Sequence, residues 1–420
     1  MIQTIQILPG VTLRCCQDSR FKQSCLSLQL VRPMCREEAA KNALLPAVLL
    51  RGTSNCPDLR SITLRLDDLY GASVGTLVRR IGDYHVTGLF CNFIEDRFSL
   101  EGEPVLEPMV AFLRELLLEP VLEKGVFRED FVESEKKNLI ATIEAQFNDK
   151  RAYATTRMLR NMCSADSFGI PRLGYPEDVA AITPEELYRH YQTLLTESPV
   201  CLFYVGSRKP EQVADLLRPI FASIDRQCQS LPTQTPFRDG GGSDTSEIQS
   251  ISQGKLSMGF TTNIRIGDDR FAAMQVCNTV LGAGMTSKLF TQIREKLSLC
   301  YDIHSAYHGT KGILTVAAGI DFDKDTLVRQ QVLAQLESCR REEITAQELH
   351  AAKEAVCSSL QGIHDRPGSI ENYYATGALS GLSMTPEQYR QAVQAVTVQQ
   401  VAQAARTLKL HTVFFLKGVA

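Results

Sequence analysis

The chain has 420 residues, 45 Lys and Arg against 48 Asp and Glu, and 44% hydrophobic residues without a single Trp. A net charge of −3 with no basic block leaves no electrostatic footprint for nucleic acid, and no apolar run approaches the roughly 18 residues that span a membrane. At about 100–200 residues per domain, the length predicts two or three domains, each with its own core.

The start, MIQTIQILPG, lacks the charged residues and the apolar core of roughly 7–15 residues expected of a secretory signal. The segments VTLRCCQ (11–17) and SCLSLQLV (24–31) alternate apolar and polar residues, the period of half-buried strands. His85 falls on another alternating stretch and has no partner nearby in sequence. PMVAFLRELLLEP (108–120) carries apolar residues at i, i+3 and i+4 and predicts an amphipathic helix. Residues 133–143 do the same and lead to Asp149-Lys150. In EDVAAITPEELYRHYQ (177–192), Thr183 is placed to cap a short helix, because its hydroxyl accepts an otherwise orphaned amide hydrogen. The apolar strand VCLFYVG (200–206) follows.

Residues 227–250 collect Gly, Ser, Thr, Pro and Asp without a hydrophobic period, and predict a mobile or extended linker. After it the pattern repeats. A strand, KLSMGFT (255–261), precedes helices at 272–281, 326–338 and 348–360; the last leads to Asp365-Arg366. QAVQAVTVQQVAQAAR (391–406) and the strand HTVFFLKG (411–418) close the series. Thr183 and Thr397 stand 214 positions apart, and Asp149 and Asp365 stand 216 apart. The spacing predicts a duplication: an N-terminal domain over 1–226, the linker over 227–250 and a C-terminal domain over 251–420. Each is an α+β domain in which helices pack on a mainly antiparallel sheet. The 13 cysteines form no C-x-x-C pair and read as reduced thiols acting as small hydrophobes in a cytoplasm.

Three places invite a chemical reading, each against a plainer one. His304 and His308 have the i, i+4 spacing of a helical zinc pair, but the flanking segments read as strands, where that spacing is too long for one metal. His190, His350, His364 and His411 are isolated, so no zinc site is expected. Gly282 and Gly284, in VLGAGMTSKLF, fit neither a phosphate loop nor a dinucleotide fingerprint; they read as a turn between helices or as bare backbone that an extended ligand approaches. Arg294 belongs to a helix ending near Ser298, and Tyr301 opens a strand starting at Leu299 or Cys300. Together they suit stabilising a peptide carbonyl or its oxyanion, against a plain reading as solvated helix residue and half-buried strand residue.

The stretch LGAGMTSKLFTQIREKLSLCY resembles the second half of the pitrilysin-type metallopeptidases, the group that includes insulin-degrading enzyme and mitochondrial processing peptidase. That resemblance implies a zinc motif H-x-x-E-H in the first half, just before a Gly-Thr, with the Glu as general base. The matching stretch is KNALLPAVLLRGTSN, and Gly52-Thr53 sets its register. Ala43 and Ala47 then stand at the two His positions, Pro46 at the Glu, and Thr142 where a further Glu ligand belongs. None of the four can serve, so no metal and no independent zinc peptidase activity is expected of this chain.

Arg294 and Tyr301 remain, as in the zinc-less subunits of two-chain relatives. The similarity extends to bacterial pseudo-peptidases paired with an active sibling, one of them associated with modification of elongation factor P. The resemblance therefore implies a non-catalytic subunit of a heterodimeric zinc endopeptidase. A sibling bearing H-x-x-E-H would hold the zinc, and this chain would bind an extended peptide through Arg294, Tyr301 and the Gly282–Gly284 turn. The alternative is a scaffold or peptide-binding protein of the same fold without a proteolytic role.

Overall fold

The computed structural model describes residues 2–418. Eleven strands build two sheets. β1 (Ile2–Leu8), β2 (Val11–Gln17), β3 (Gln23–Pro33), β4 (Ser73–Ile81), β5 (Tyr84–Ile94) and β6 (Val200–Gly206) form the first, in the order β1-β2-β6-β3-β5-β4. All its pairs are antiparallel except β2 with β6. β7 (Ser243–Gln249), β8 (Gly254–Thr261), β9 (Asp302–His308), β10 (Ile313–Ile320) and β11 (Lys409–Gly418) form the second, in the order β9-β10-β8-β11-β7. Here only β11 with β7 is parallel. The fold is the expected α+β one.

Burial explains why β3 reads as a nearly continuous buried run from Ser24 to Val31 instead of alternating. Leu26, Leu28 and Leu30 face a core cluster with Leu44, Leu113 and Leu194, supplied by the helices Arg36–Leu49, Leu106–Leu118 and Pro184–Glu197. Ser27 and Gln29 point the other way and meet Glu371, from the helix Pro367–Ser380. A central strand covered on both faces has no solvent side to keep polar.

The helix starts follow their local chemistry. Thr183 accepts from the Glu186 amide and Thr397 from the Gln400 amide, each closing a reciprocal capping box. Both were expected as caps.

The expected boundaries are contiguous in sequence; the two compact units are not. Among the described residues, one unit comprises the chain up to Glu144, Ile170–Thr233 and His364–Leu379. The other comprises Ala145–Gly169, Gln234–Ile363 and the chain from Ser380. Each unit thus takes one helix across the expected boundary. The helix Lys150–Met162 buries Ala154, Met158 and Met162 against Ile313, Phe414 and Leu416 of the second sheet. Gly259 leaves it room, since a Cβ there would lie 2.6 Å from the sulfurs of Met158 and Met162. The helix Pro367–Ser380 covers the first sheet, with Tyr374 stacked on Phe203. Its Glu371 is fully buried and accepts from Ser27, Gln29 and the Arg79 fork at 2.7–3.2 Å. These two helices are the ones that follow the paired Asp149 and Asp365, so the exchange is reciprocal.

The linker is the second correction. Residues 243–249 form β7, a parallel edge strand on β11. Asp244 is paired with Arg329, and Glu247 accepts from Tyr153. An edge strand pairs on one side only and tolerates polar residues on its exposed face, so it lacks the apolar alternation that marks a strand in sequence.

Candidate functional site

The helix Arg36–Leu49 carries the positions at which the resemblance places a zinc motif. Ala43 and Pro46 are buried and Ala47 is half-buried. Pro46 has no amide hydrogen, so the Asn42 carbonyl loses its intrahelical donor. The hydroxyl of Thr87 on β5 supplies one instead, at 2.6 Å. Side-chain chemistry thereby satisfies the backbone at the proline, and the helix continues through it. Thr142 is exposed on the helix Glu129–Ala145 and donates to the Asn138 carbonyl at 2.8 Å. Among the described residues, no three His, Cys, Asp or Glu side chains are placed to hold a metal ion.

His85 and His190 are not the solitary residues the sequence suggests. The amide of Asn42 lies between them, 3.2 Å from Nδ1 of His85 and 2.7 Å from Nε2 of His190. Burial pushes both imidazoles down to about 4, so both are neutral near pH 7. Above the ordinary value of 6.5 they confer no pH dependence. As pH falls from 6.5 toward 4, the unfolded chain takes up protons that the fold refuses, and stability is lost by up to ~3 kcal/mol per histidine. Urea midpoints should therefore drop between pH 7 and pH 5. The drop should be smaller in His190→Gln, whose amide still donates to Asn42 but does not titrate. Equal pH slopes for the two proteins would refute this assignment.

His304 and His308 lie on strand β9, as expected, and His308 packs edge-on against Phe168.

Arg294 and Tyr301 come together. The segment Leu289–Lys296 winds as a π-helix, a form that recurs at functional sites. It ends two residues before Ser298, which sits at φ +50°, and the strand ladder begins at Asp302, later than the sequence suggests. Tyr301 stands just ahead of that ladder, its amide donating to Gly319. Arg294 donates from Nε to the Tyr301 carbonyl at 2.8 Å and stacks 4.6 Å over the Phe290 ring. Its terminal nitrogens make no further hydrogen bond among the described residues. The Tyr301 hydroxyl donates to Asp321 at 2.9 Å, and Asp321 is paired with Lys324 at 2.6 Å. Arg294, Tyr301, Asp321 and Lys324 line an open groove of about 420 Å³. Asp321 and Lys324 escaped the sequence reading, because nothing in their local pattern marks them.

The two glycines separate. Gly282 accepts from the Ser305 amide at 3.0 Å, and a Cβ on it would lie 2.7 Å from Leu289 and from the Ser305 hydroxyl. It is a packing glycine against the outer edge of β9. Gly284, at φ +151°, has open space where a Cβ would stand, and its carbonyl accepts from the Ser287 amide and hydroxyl.

In the other unit, β4 is an outer strand of its sheet, with β5 on one side only. A groove of about 420 Å³ runs along Ser73–Arg79. It shares Asn92 and Gly368 with an adjoining groove of about 780 Å³. The Val78 carbonyl accepts from Arg172 at 3.3 Å, and a strand edge beside a groove can offer main-chain hydrogen bonds to an extended peptide.

Comparison with known proteins concerns the chain as a whole. Residues 181–356 match the peptidase M16 inactive domain. Over 97% of the chain and 96% of the relative, the sequence is 28% identical to the "Probable inactive metalloprotease YmfF" of Bacillus subtilis (strain 168). A conserved protein from Enterococcus faecalis V583 superposes with a TM-score of 0.92 at 27% identity, covering 100% of this chain and 99% of that one. A peptidase M16 inactive domain from Pseudomonas fluorescens shares the fold, with a TM-score of 0.82 at 17% identity over 100% of this chain and 98% of that one.

Proposed function

Because the chain is an inactive M16-family metalloprotease-like protein, we propose that it acts as the non-catalytic, substrate-binding subunit of a heterodimeric zinc endopeptidase. One observation carries the reading: the positions for metal and base hold Ala43, Pro46, Ala47 and Thr142, while Arg294 and Tyr301 stay joined at a groove wall. Loss of one set of groups with retention of the other fits a chain that handles substrate while a zinc-bearing sibling performs the hydrolysis. The Arg294 fork of one unit donates to a peptide carbonyl; by itself, the β4 edge of the other unit offers strand addition to extended backbone. The thirteen free cysteines suit a reducing cytoplasm.

Purified alone, the protein should hold well under one zinc per chain and show no chelator-sensitive cleavage of unstructured peptides. No trio of side chains at the motif positions can ligate the ion. Zinc at one per chain, with cleavage abolished by chelation, would refute this. The pairing is tested by co-expression with an H-x-x-E-H sibling and purification through a tag on this chain. Recovery of a complex that cleaves peptides supports the proposal. Recovery of a complex whose cleavage never depends on this chain makes it a scaffold of the same fold.

A further inference from the structure

Tyr301 is expected, from its residue type, to donate its phenolic hydrogen to a substrate. The structure has already spent that hydrogen. Asp321 forms an ion pair with Lys324 at 2.6 Å, which holds its carboxyl ionised. A carboxylate accepts hydrogen bonds and donates none, so the hydrogen between Asp321 and Tyr301 belongs to the phenol. What the Tyr301 oxygen then turns outward is lone pairs. Its main chain is held as well, by Arg294 at its carbonyl and by Gly319 at its amide, so the ring is fixed at both ends. The ring itself is 60% exposed, within reach of a ligand in the groove.

We infer that Asp321 is a positioning residue that makes Tyr301 an acceptor for a backbone N–H of a bound extended peptide, next to the Arg294 donor for a backbone C=O. Neighbouring N–H and C=O groups of one extended strand are thus read by a matched acceptor and donor. Such a pair selects for peptide main chain with an intact amide hydrogen, whatever the side chains. Proline at the position facing Tyr301, which lacks that hydrogen, is disfavoured. The inference rests on the substrate-binding reading of this groove and adds a polarity to it.

The test uses the full chain and two measurements. First, Tyr301 is isolated among the 12 tyrosines by subtracting the ultraviolet titration of Tyr301→Phe from that of the wild type. The hydrogen bond to Asp321 raises the pH at which the phenol ionises, and Asp321→Asn should lower it toward 10. An unchanged titration overturns the inference and leaves the peptide-binding reading standing. Second, a fluorescein-labelled, unstructured twelve-residue peptide is compared by anisotropy with a series in which one amide at a time is replaced by an ester. One ester position should weaken binding to the wild type by about threefold to tenfold, the worth of one hydrogen bond. The same ester should have no such effect in Tyr301→Phe, and a reduced one in Asp321→Asn, whose amide can return the phenol to a donor. Equal ester effects in all three proteins overturn the inference. No binding of the parent peptide to any of them overturns the substrate-binding reading as well.

Discussion

In a complex assembled with a zinc-bearing sibling, Arg294→Ala should lower turnover on the order of a hundred- to a thousandfold per complex. On the proposed function the fork would donate where negative charge develops on the scissile carbonyl or beside it, and removing one such donor typically costs that much. The side chain is exposed, and its one protein hydrogen bond goes to the Tyr301 carbonyl, so the melting temperature should hardly move. Arg294→Lys should recover only part of the rate. A single ammonium cannot at once bond the Tyr301 carbonyl and present a planar fork, and it stacks less well on Phe290. Turnover per intact complex is the quantity to measure, because assembly and chemistry then separate. An unchanged rate would remove Arg294 from the substrate's path.

The second large effect concerns stability. Lys311 and Asp166 form an ion pair at 2.9 Å with side chains 0% and 1% exposed. Asp166 also accepts from the amides of Phe168 and Arg238, so one carboxylate ties together the segment after the Lys150–Met162 helix, the β9–β10 turn and the region before β7. Asp166→Ala would take from the buried ammonium the carboxylate it pairs with, at a cost of about 3–5 kcal/mol. Against a total of about 5–15 kcal/mol for a typical protein, that is a large fraction. Replacing both partners, as Asp166→Leu with Lys311→Met, should be much milder, since no charge is then stranded. Urea unfolding of the two variants distinguishes them. A loss under about 1 kcal/mol in the single variant would show that the pair does not hold this unit together.

What could be read from the sequence is what local chemistry determines. Thr183 and Thr397 announce their helices because each cap and its reciprocal partner lie three residues apart. The reciprocal exchange of helices is invisible at that level. An amphipathic pattern over 150–162 says that Met158 and Met162 are buried, and does not say against which sheet. β7 has no apolar alternation to betray it, being a polar strand at an edge. The polar network at the helix Arg36–Leu49 joins Asn42, His85, Thr87 and His190 across up to 148 positions, beyond any local motif. Arg294 and Tyr301 were legible as a pair because they sit seven residues apart at one corner. Asp321, 20 residues further along and across a strand pair, was not.

The central claim, that this chain handles substrate for a sibling's zinc, is tested most directly by titration. A fixed amount of the purified zinc-bearing sibling receives increasing amounts of this chain, and cleavage of an unstructured peptide is followed. The account predicts turnover that rises steeply and saturates at one chain per sibling, with Arg294→Ala saturating at the same ratio but far lower rate. Full turnover by the sibling alone, unaltered by any amount of this chain, would contradict it.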